Sequence, residues 1–210
     1  MNLMIIGAGG GIGKQTVRAA LAEGHRVVAV LRHPEKLPLR HPDLEVVQGD
    51  ILRPETFDAY LRNQDAVVSA IGIKGTGPTT LYSQGTALLL DRLKENGPRR
   101  AYFISASALV VSPMQTRFVR WFTRSVLQKV LRNMYADLLL MEREIKESDV
   151  DWTIVRPPRL TDGPPKRTYR FAVNGFLKNC LSISRADLAD YILRNLTNRE
   201  TYKATVEVAY

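Results

Sequence analysis

The sequence predicts an α/β protein built as a doubly wound, Rossmann-type parallel sheet with helices on both faces. Three observations predict it. The first is the turn Gly7-Ala8-Gly9-Gly10-Gly11-Ile12-Gly13, set between the apolar run Leu3-Met4-Ile5-Ile6 and a helical stretch over residues 14–23. Strand, glycine turn and helix together are the setting in which such a motif binds phosphate. The helix N-terminus offers unpaired N–H groups and a positive dipole end. Glycines allow the tight turn and the close approach of backbone to ligand. The second observation is Val27-Val28-Ala29-Val30-Leu31, a continuous apolar run of the kind found in parallel strands buried on both faces. The third is that strand-like runs alternate with helical segments along most of the chain, as repeated βα units require.

Taken in order, Gly24 ends the first helix and residues 27–31 form the second strand. Pro34 and Pro38 mark a loop. Residues 44–48 read as a third strand that ends at Gly49-Asp50-Ile51. Pro54 opens a short helix through about Leu61. Residues 66–70 read as a fourth strand running into the loop Ile71-Gly72-Ile73-Lys74-Gly75-Thr76-Gly77-Pro78, at the carboxyl ends of the strands where open α/β sheets bind ligands. Thr79 and Thr80 cap a helix to about Glu95. A fifth strand over 101–105 brings Ser105, Ala106 and Ser107 to the same crevice. Residues 113–147 read as mostly helical, with a break. A sixth strand over 151–155 closes at Arg156-Pro157-Pro158, and residues 176–180 fit no single pattern. Ser184 caps a helix with Asp187 at its third position, and residues 204–209 alternate as a final edge strand would. The expected organisation is one domain over residues 1–210, with a small substrate-side region at about 157–183.

The chain has 210 residues and a net charge of +9, from 30 basic and 21 acidic residues. That balance favours anionic partners: a phosphorylated cofactor, an acidic substrate, an anionic membrane or nucleic acid. No nucleic-acid reading motif is present, so nucleic acid is not an expected partner. No apolar run approaches the roughly 18 residues that span a bilayer. A first strand beginning at about Asn2 leaves no room for a leader, and the lone Cys180 fits a reducing compartment, so the expected location is the cytoplasm. Cys180 reads as a small buried side chain rather than a reactive thiol. No metal site is expected.

Where the second strand ends, an acidic residue would accept hydrogen bonds from a free ribose 2′-hydroxyl. This chain has Arg32 there, with Lys36 four residues on. Cations at that point favour a 2′-phosphate and hence NADP(H). Between Met114 and Ala136 lie Arg117, Arg120, Arg124, Lys129 and Arg132, with no acidic residue and with Phe118, Trp121 and Phe122 interleaved. Segment 114–132 therefore reads first as a solvated face on a core-packing helix. Two other readings are a surface touching membrane or a protein partner, and a lid over the substrate pocket.

With these residues placed, the chain resembles the atypical short-chain dehydrogenase/reductase superfamily, in the group with biliverdin-IXβ reductase/flavin reductase and the NmrA-like proteins. The likeness is carried by Gly7, Gly10 and Gly13, by Leu31-Arg32 with Lys36-Leu37-Pro38, by Gly49-Asp50-Ile51, by Asp65-Ala66-Val67 and by Pro78-Thr79-Thr80. It continues through the strand ending at Ser105, Arg156-Pro157-Pro158, and Ile183-Ser184-Arg185-Ala186-Asp187-Leu188-Ala189. The resemblance implies that Gly7, Gly10, Gly11, Ile12 and Gly13 hold the pyrophosphate and that Arg32 and Lys36 hold the 2′-phosphate. It further implies that Asp50 and Ile51 flank the adenine, that Ala70, Ile71 and Gly72 run along the cofactor, and that Pro157 lies near the nicotinamide. Most of the superfamily uses a Tyr-x-x-x-Lys pair; here Tyr135 is followed four residues later by Leu139. In the flavin-reductase group a serine after the fifth strand contacts nicotinamide and substrate. Ala106 matches that position, with Ser105 and Ser107 on either side as candidate catalytic residues. The expected function is an NADPH-dependent reductase passing hydride to a flat conjugated acceptor such as a flavin, quinone or tetrapyrrole. The alternative is a non-enzymatic, NmrA-like sensor that binds NADP(H) and acts through a protein partner.

Overall fold

In the computed structural model, which describes residues 1–210, the first apolar run forms β1 (Asn2–Ile6) in the interior of an eight-stranded sheet. On one side lie β2 (Arg26–Leu31) and β3 (Leu44–Gln48). On the other lie, in spatial order, β4 (Ala66–Ser69), β5 (Arg100–Ile104), β6 (Asp151–Arg156), β10 (Ala204–Ala209) and β8 (Arg170–Val173). Every neighbouring pair is parallel except β10 with β8. A separate parallel pair, β7 (Arg159–Thr161) with β9 (Ser182–Ser184), stands beside this sheet.

The pleat explains why β1 is apolar from Leu3 to Ile6. Leu3 and Ile5 face one layer, with Val17 and Ala20 of α1 (Gly11–Ala22) and Leu188 and Ile192 of α6 (Arg185–Arg194). Met4 and Ile6 face the other, with Leu89 and Leu93 of α2 (Leu81–Asn96) and Met141 and Ile145 of α5 (Arg132–Glu147). Successive side chains of a strand point to opposite faces, so a strand covered on both sides has no polar alternation. The fold is the doubly wound, Rossmann-type arrangement.

The structure departs from the sequence reading in several places. Residues 204–209 are not an edge strand: β10 pairs with β6 on one side and β8 on the other, and Val206, Val208 and Ala209 are fully buried. β8 was hidden because it is only four residues long, and its Arg170 and Phe171 are exposed. The segment after Pro54 is not a continuous helix but two 3-10 turns, Pro54–Thr56 and Asp58–Tyr60. Phe57 adopts φ −144° between them, which drives its ring into the core. The helical stretch after Pro113 does break as expected. α3 (Arg117–Phe122) passes into a π-turn at Thr123–Leu127 and then α4 (Gln128–Val130), and Leu131 (φ −100°, ψ 19°) separates these from α5.

Candidate functional site

Strand order reverses direction between β1 and β4, and ligands of open α/β sheets bind in the crevice outside the carboxyl ends of strands at such a point. The glycine turn forms one wall. Gly7 and Ala8 N–H both donate to the Val30 carbonyl, at 2.9 and 3.2 Å, and Gly10 N–H donates to Gly7 at 2.9 Å. Two glycines are demanded by this geometry. Gly7 has φ +81°, and a Cβ there would lie 2.6 Å from the Ala70 carbonyl oxygen. A Cβ on Gly13 would lie 2.4 Å from the Gly7 oxygen. Both obstacles are backbone and cannot swing aside.

The turn delivers the N-terminus of α1 to the crevice. Gly10 is its N-cap, no side chain caps it, and the first turn holds no acidic residue. The first N–H groups of a helix have no intrahelical partners, so an uncapped end suits an anion. Cations surround it. Lys36 sits against Gly9, its Cβ 3.5 Å from where a Cβ on Gly9 would be. Arg32 is exposed at the end of β2, its carbonyl contacted by Gln48 Nε2 at 3.4 Å.

A third cation was not foreseen as a site residue. Arg185, the first residue of α6, lies across Gly11: a Cβ on Gly11 would fall 2.6 Å from its Nε. Its Nη1 donates to Asp162 Oδ1 at 2.8 Å, so one guanidinium spans the glycine turn and the loop after β7. The sequence placed Arg185 only within a family motif. Its position follows from the packing of α6 beside α1, which no local pattern reveals.

Further along the crevice, Asp50 is half-exposed and its Oδ1 accepts Leu52 N–H at 3.1 Å. The Ile51 side chain turns inward against Gly85 of α2. Ala70 is buried, Ile71 half-buried and Gly72 exposed, and the Tyr82 hydroxyl beneath them accepts Ile73 N–H at 3.3 Å. Ala106 and Ser107 are half-buried after β5, and Ser107 N–H donates to the carbonyl of buried Pro157 at 3.0 Å. The structure thus brings together Gly7 with Ala70, and Ser107 with Pro157.

Ser105 faces elsewhere. It is buried, and its hydroxyl donates to Glu142 Oε1 at 2.7 Å. Glu142 also accepts from Arg156 Nε at 2.8 Å, from Arg156 Nη2, and from Lys146 Nζ at 3.3 Å. Burial alone would raise the Glu142 carboxyl, but the hydrogen bonds and charge of Arg156, with Ser105 and Lys146, hold it below its ordinary range. Lys146 is the only lysine on α5. Tyr82 and Tyr135 are both buried, and burial pushes both phenols up. Cys180 is buried beside Ser107 and Glu207; its thiol is pushed up to about 12, by burial first and the Glu207 charge second.

A second unforeseen residue is Asp137. The N-terminus of α2 was expected to be capped by Thr79 and Thr80, yet Thr80 makes no cap and Thr79 Oγ1 takes only Leu81 N–H, at 3.1 Å. Asp137, buried on α5, accepts Tyr82 N–H at 2.8 Å, Ser83 N–H at 3.1 Å, and the Ser83 hydroxyl. A carboxylate on a helix N-terminus is favoured by the dipole. Asn133, one turn earlier, donates to the Thr76 carbonyl at 2.9 Å, so α5 fixes both the start of α2 and the loop that precedes it.

Elsewhere, a surface concavity of about 660 Å³ lies between α2 and α5, lined in part by Leu90, Lys94, Arg99 and Asp149. It opens where β5 and β6 begin, at the opposite end of the strands from the glycine turn. No three or more His, Cys, Asp or Glu residues gather as a metal site would need. No helix is long and apolar enough to cross a membrane.

Residues 7–199 match the NAD(P)H-binding family. The chain belongs to that family. Among curated proteins it is 31% identical over 109 residues to photosystem II assembly factor Ycf39 of Synechocystis, an alignment covering 50% of this chain and 33% of the relative. The chain thus spans about a third of the length of that relative. It is 25% identical over 204 residues to the uncharacterised protein YwnB of Bacillus subtilis, covering 95% of this chain and 92% of YwnB. Among solved structures, a wide-type short-chain dehydrogenase/reductase from Veillonella parvula in complex with NADP superposes with a TM-score of 0.83 at 18% identity, covering 100% of this chain and 94% of that one. ChuY, an anaerobilin reductase from Escherichia coli O157:H7, superposes with a TM-score of 0.77 at 20% identity, covering 100% and 97%. These two structures share the fold, and the NAD(P)H-binding assignment rests on the family match.

Proposed function

We propose that the chain is an NADPH-dependent reductase that passes hydride to a flat, conjugated acceptor such as a flavin, quinone or tetrapyrrole. One observation carries this reading: the crevice brings an uncapped helix N-terminus and basic residues together at the glycine turn, while Ser105, Tyr82, Tyr135 and Lys146 are buried or paired. On the binding side, the backbone from Gly7 to Gly13 and the α1 N-terminus take the pyrophosphate. Arg185 adds a cation beside Gly11, and Arg32 and Lys36 take the 2′-phosphate. Asp50 and the Ile51 backbone border the adenine. Ala70, Ile71, Gly72, Ala106 and Pro157 flank the nicotinamide half.

On the chemical side, the cofactor supplies hydride. Ketone reduction also needs a proton delivered to the developing alkoxide. Here Ser105 is committed to Glu142, the two nearby tyrosines are raised by burial, and the lysine of α5 is paired with Glu142. Ser107 is half-buried after β5, suited to positioning a polar edge of an acceptor. A conjugated ring delocalises the incoming electron pair and takes its proton from water, so the protein need only hold donor and acceptor in register. The fold shared with a protein named as an anaerobilin reductase supports including tetrapyrroles.

Purified protein mixed with NADPH and a panel of FMN, quinones and linear tetrapyrroles should consume the nicotinamide absorbance with at least one of them. NADPH binding without turnover on the whole panel would refute the reductase reading. It would favour the second reading, an NADP(H)-binding sensor acting through a protein partner, which the same lack of a proton donor supports.

A further inference from the structure

Segment 117–130 has two faces. The inner face is fixed: Leu127 packs on the core with Leu131, and Gln128 Nε2 donates to the Ala108 and Leu109 carbonyls at 3.0 and 3.3 Å. The outer face is apolar and uncovered. Phe118 is 72% exposed, Trp121 58% and Val130 57%, with Phe122 and Val126 between them. Phe118 and Trp121 pack against each other, ring centroids 6.1 Å apart, rather than on the core.

The spacing of this stripe is regular. Phe118, Phe122, Val126 and Val130 recur every fourth residue. In an α-helix that spacing drifts by about 40° each step, since 3.6 residues make a turn. The π-turn at Thr123–Leu127 winds less per residue and cancels much of that drift. The four side chains are thereby held on one face for the whole length of the segment.

Charge decides what covers this face. Arg117, Arg124 and Lys129 are exposed on the same segment, as is Arg132 just after its break, and Arg120 is half-buried with its Nε enclosed. No acidic residue lies between Met114 and Ala136, and none of the five forms an ion pair. A second copy of the same face would bring cations onto cations. Anionic headgroups complement them, aromatic side chains sit well at a lipid–water interface, and arginine stems lie along apolar surface while their heads reach phosphate. We propose that this face seats the protein on an anionic lipid surface, with Phe118, Trp121, Phe122, Val126 and Val130 dipped into the headgroup boundary. Gln128 ties the segment to the loop after β5, so the crevice opens beside the seated face.

The proposal is tested by flotation of the full chain with vesicles of phosphatidylcholine alone, or with about one third phosphatidylglycerol. The anionic lipid should raise the bound fraction at least about tenfold, and about 0.5 M salt should reverse the gain. The double variant Phe118→Ser/Trp121→Ser should lower binding at least about tenfold while leaving NADPH affinity and circular dichroism unchanged, because both side chains are solvent-exposed. No binding to anionic vesicles at low salt, or binding that the double variant leaves intact, would overturn the proposal. A dimer in light scattering that the double variant dissociates would also overturn it, and would assign the face to self-association. NADPH binding is read separately, so a failed cofactor assignment is distinct from a failed membrane seat.

Discussion

Replacing Glu142 by glutamine removes one charge from a buried carboxylate that accepts from Ser105, Lys146 and Arg156, and changes little else in shape. The Glu142 side chain is 2% exposed and that of Arg156, its partner, 10%. The variant leaves the Arg156 guanidinium buried against a neutral amide, with Glu207 its remaining anionic neighbour across the β6–β10 pairing. Removing one member of a buried pair costs about 3–5 kcal/mol, mostly as the uncompensated charge left behind. For a chain of this size, 1 kcal/mol corresponds to about 2–4 °C, so the melting temperature should fall by about 6–20 °C at pH 7. The pH dependence follows from the depressed carboxyl: its stabilisation is present above the ordinary carboxylate pKa of about 4.3 and is lost as pH falls through the lower native value. The gap between wild type and variant should therefore be widest near neutrality and narrow below about pH 4. Urea unfolding at a series of pH values measures it. A difference under about 1 kcal/mol at pH 7, or one that does not narrow in acid, would refute the assignment of Glu142 as a charged anchor.

Three further outcomes are expected. Arg32→Ala should weaken NADPH by about 1.5–3 kcal/mol while barely changing NADH, measured by fluorescence titration; equal weakening would mean Arg32 does not read the 2′-phosphate. Arg185→Gln should weaken NADPH and NADH alike by a similar amount, since the pyrophosphate is common to both; an effect on neither would confine Arg185 to its contact with Asp162. Gly13→Ala should cost about 1–3 kcal/mol in urea unfolding, because the new Cβ meets the Gly7 carbonyl oxygen at 2.4 Å; an unchanged midpoint would mean the turn relaxes.

What was legible in the sequence was local. The glycine turn, the apolar runs and the break after Pro113 each depend on neighbours a few residues away, and all were placed correctly. The glycine turn at the start of α1 and Arg32 at the end of β2 could be placed because a turn, a helix start and a strand end carry their own residue signatures. Arg185 could not be read that way, because it reaches Gly11 only once α6 packs beside α1. Asp137 caps a helix that begins more than fifty positions earlier, so the threonines beside that helix looked like the cap. Ser105 looked available because its position at a strand end is visible in the sequence, whereas its bond to Glu142 is not. β10 was read as an edge because the strand that covers it, β8, is only four residues long and antiparallel to it, too short to announce itself.

The sheet order has a consequence for how the molecule is made. Leu3 and Ile5 of β1 share one core layer with Val206 and Val208 of β10, so that layer cannot close until residues about two hundred positions later have left the ribosome. Until then the early strands and α1 carry an apolar face with nothing to cover it, and pairings this distant in sequence form slowly. An uncovered strand face is where nascent chains stick to one another. Expression at lower temperature, or with a chaperone that shields apolar surface, should therefore improve the soluble yield of this protein more than stabilising the finished fold would.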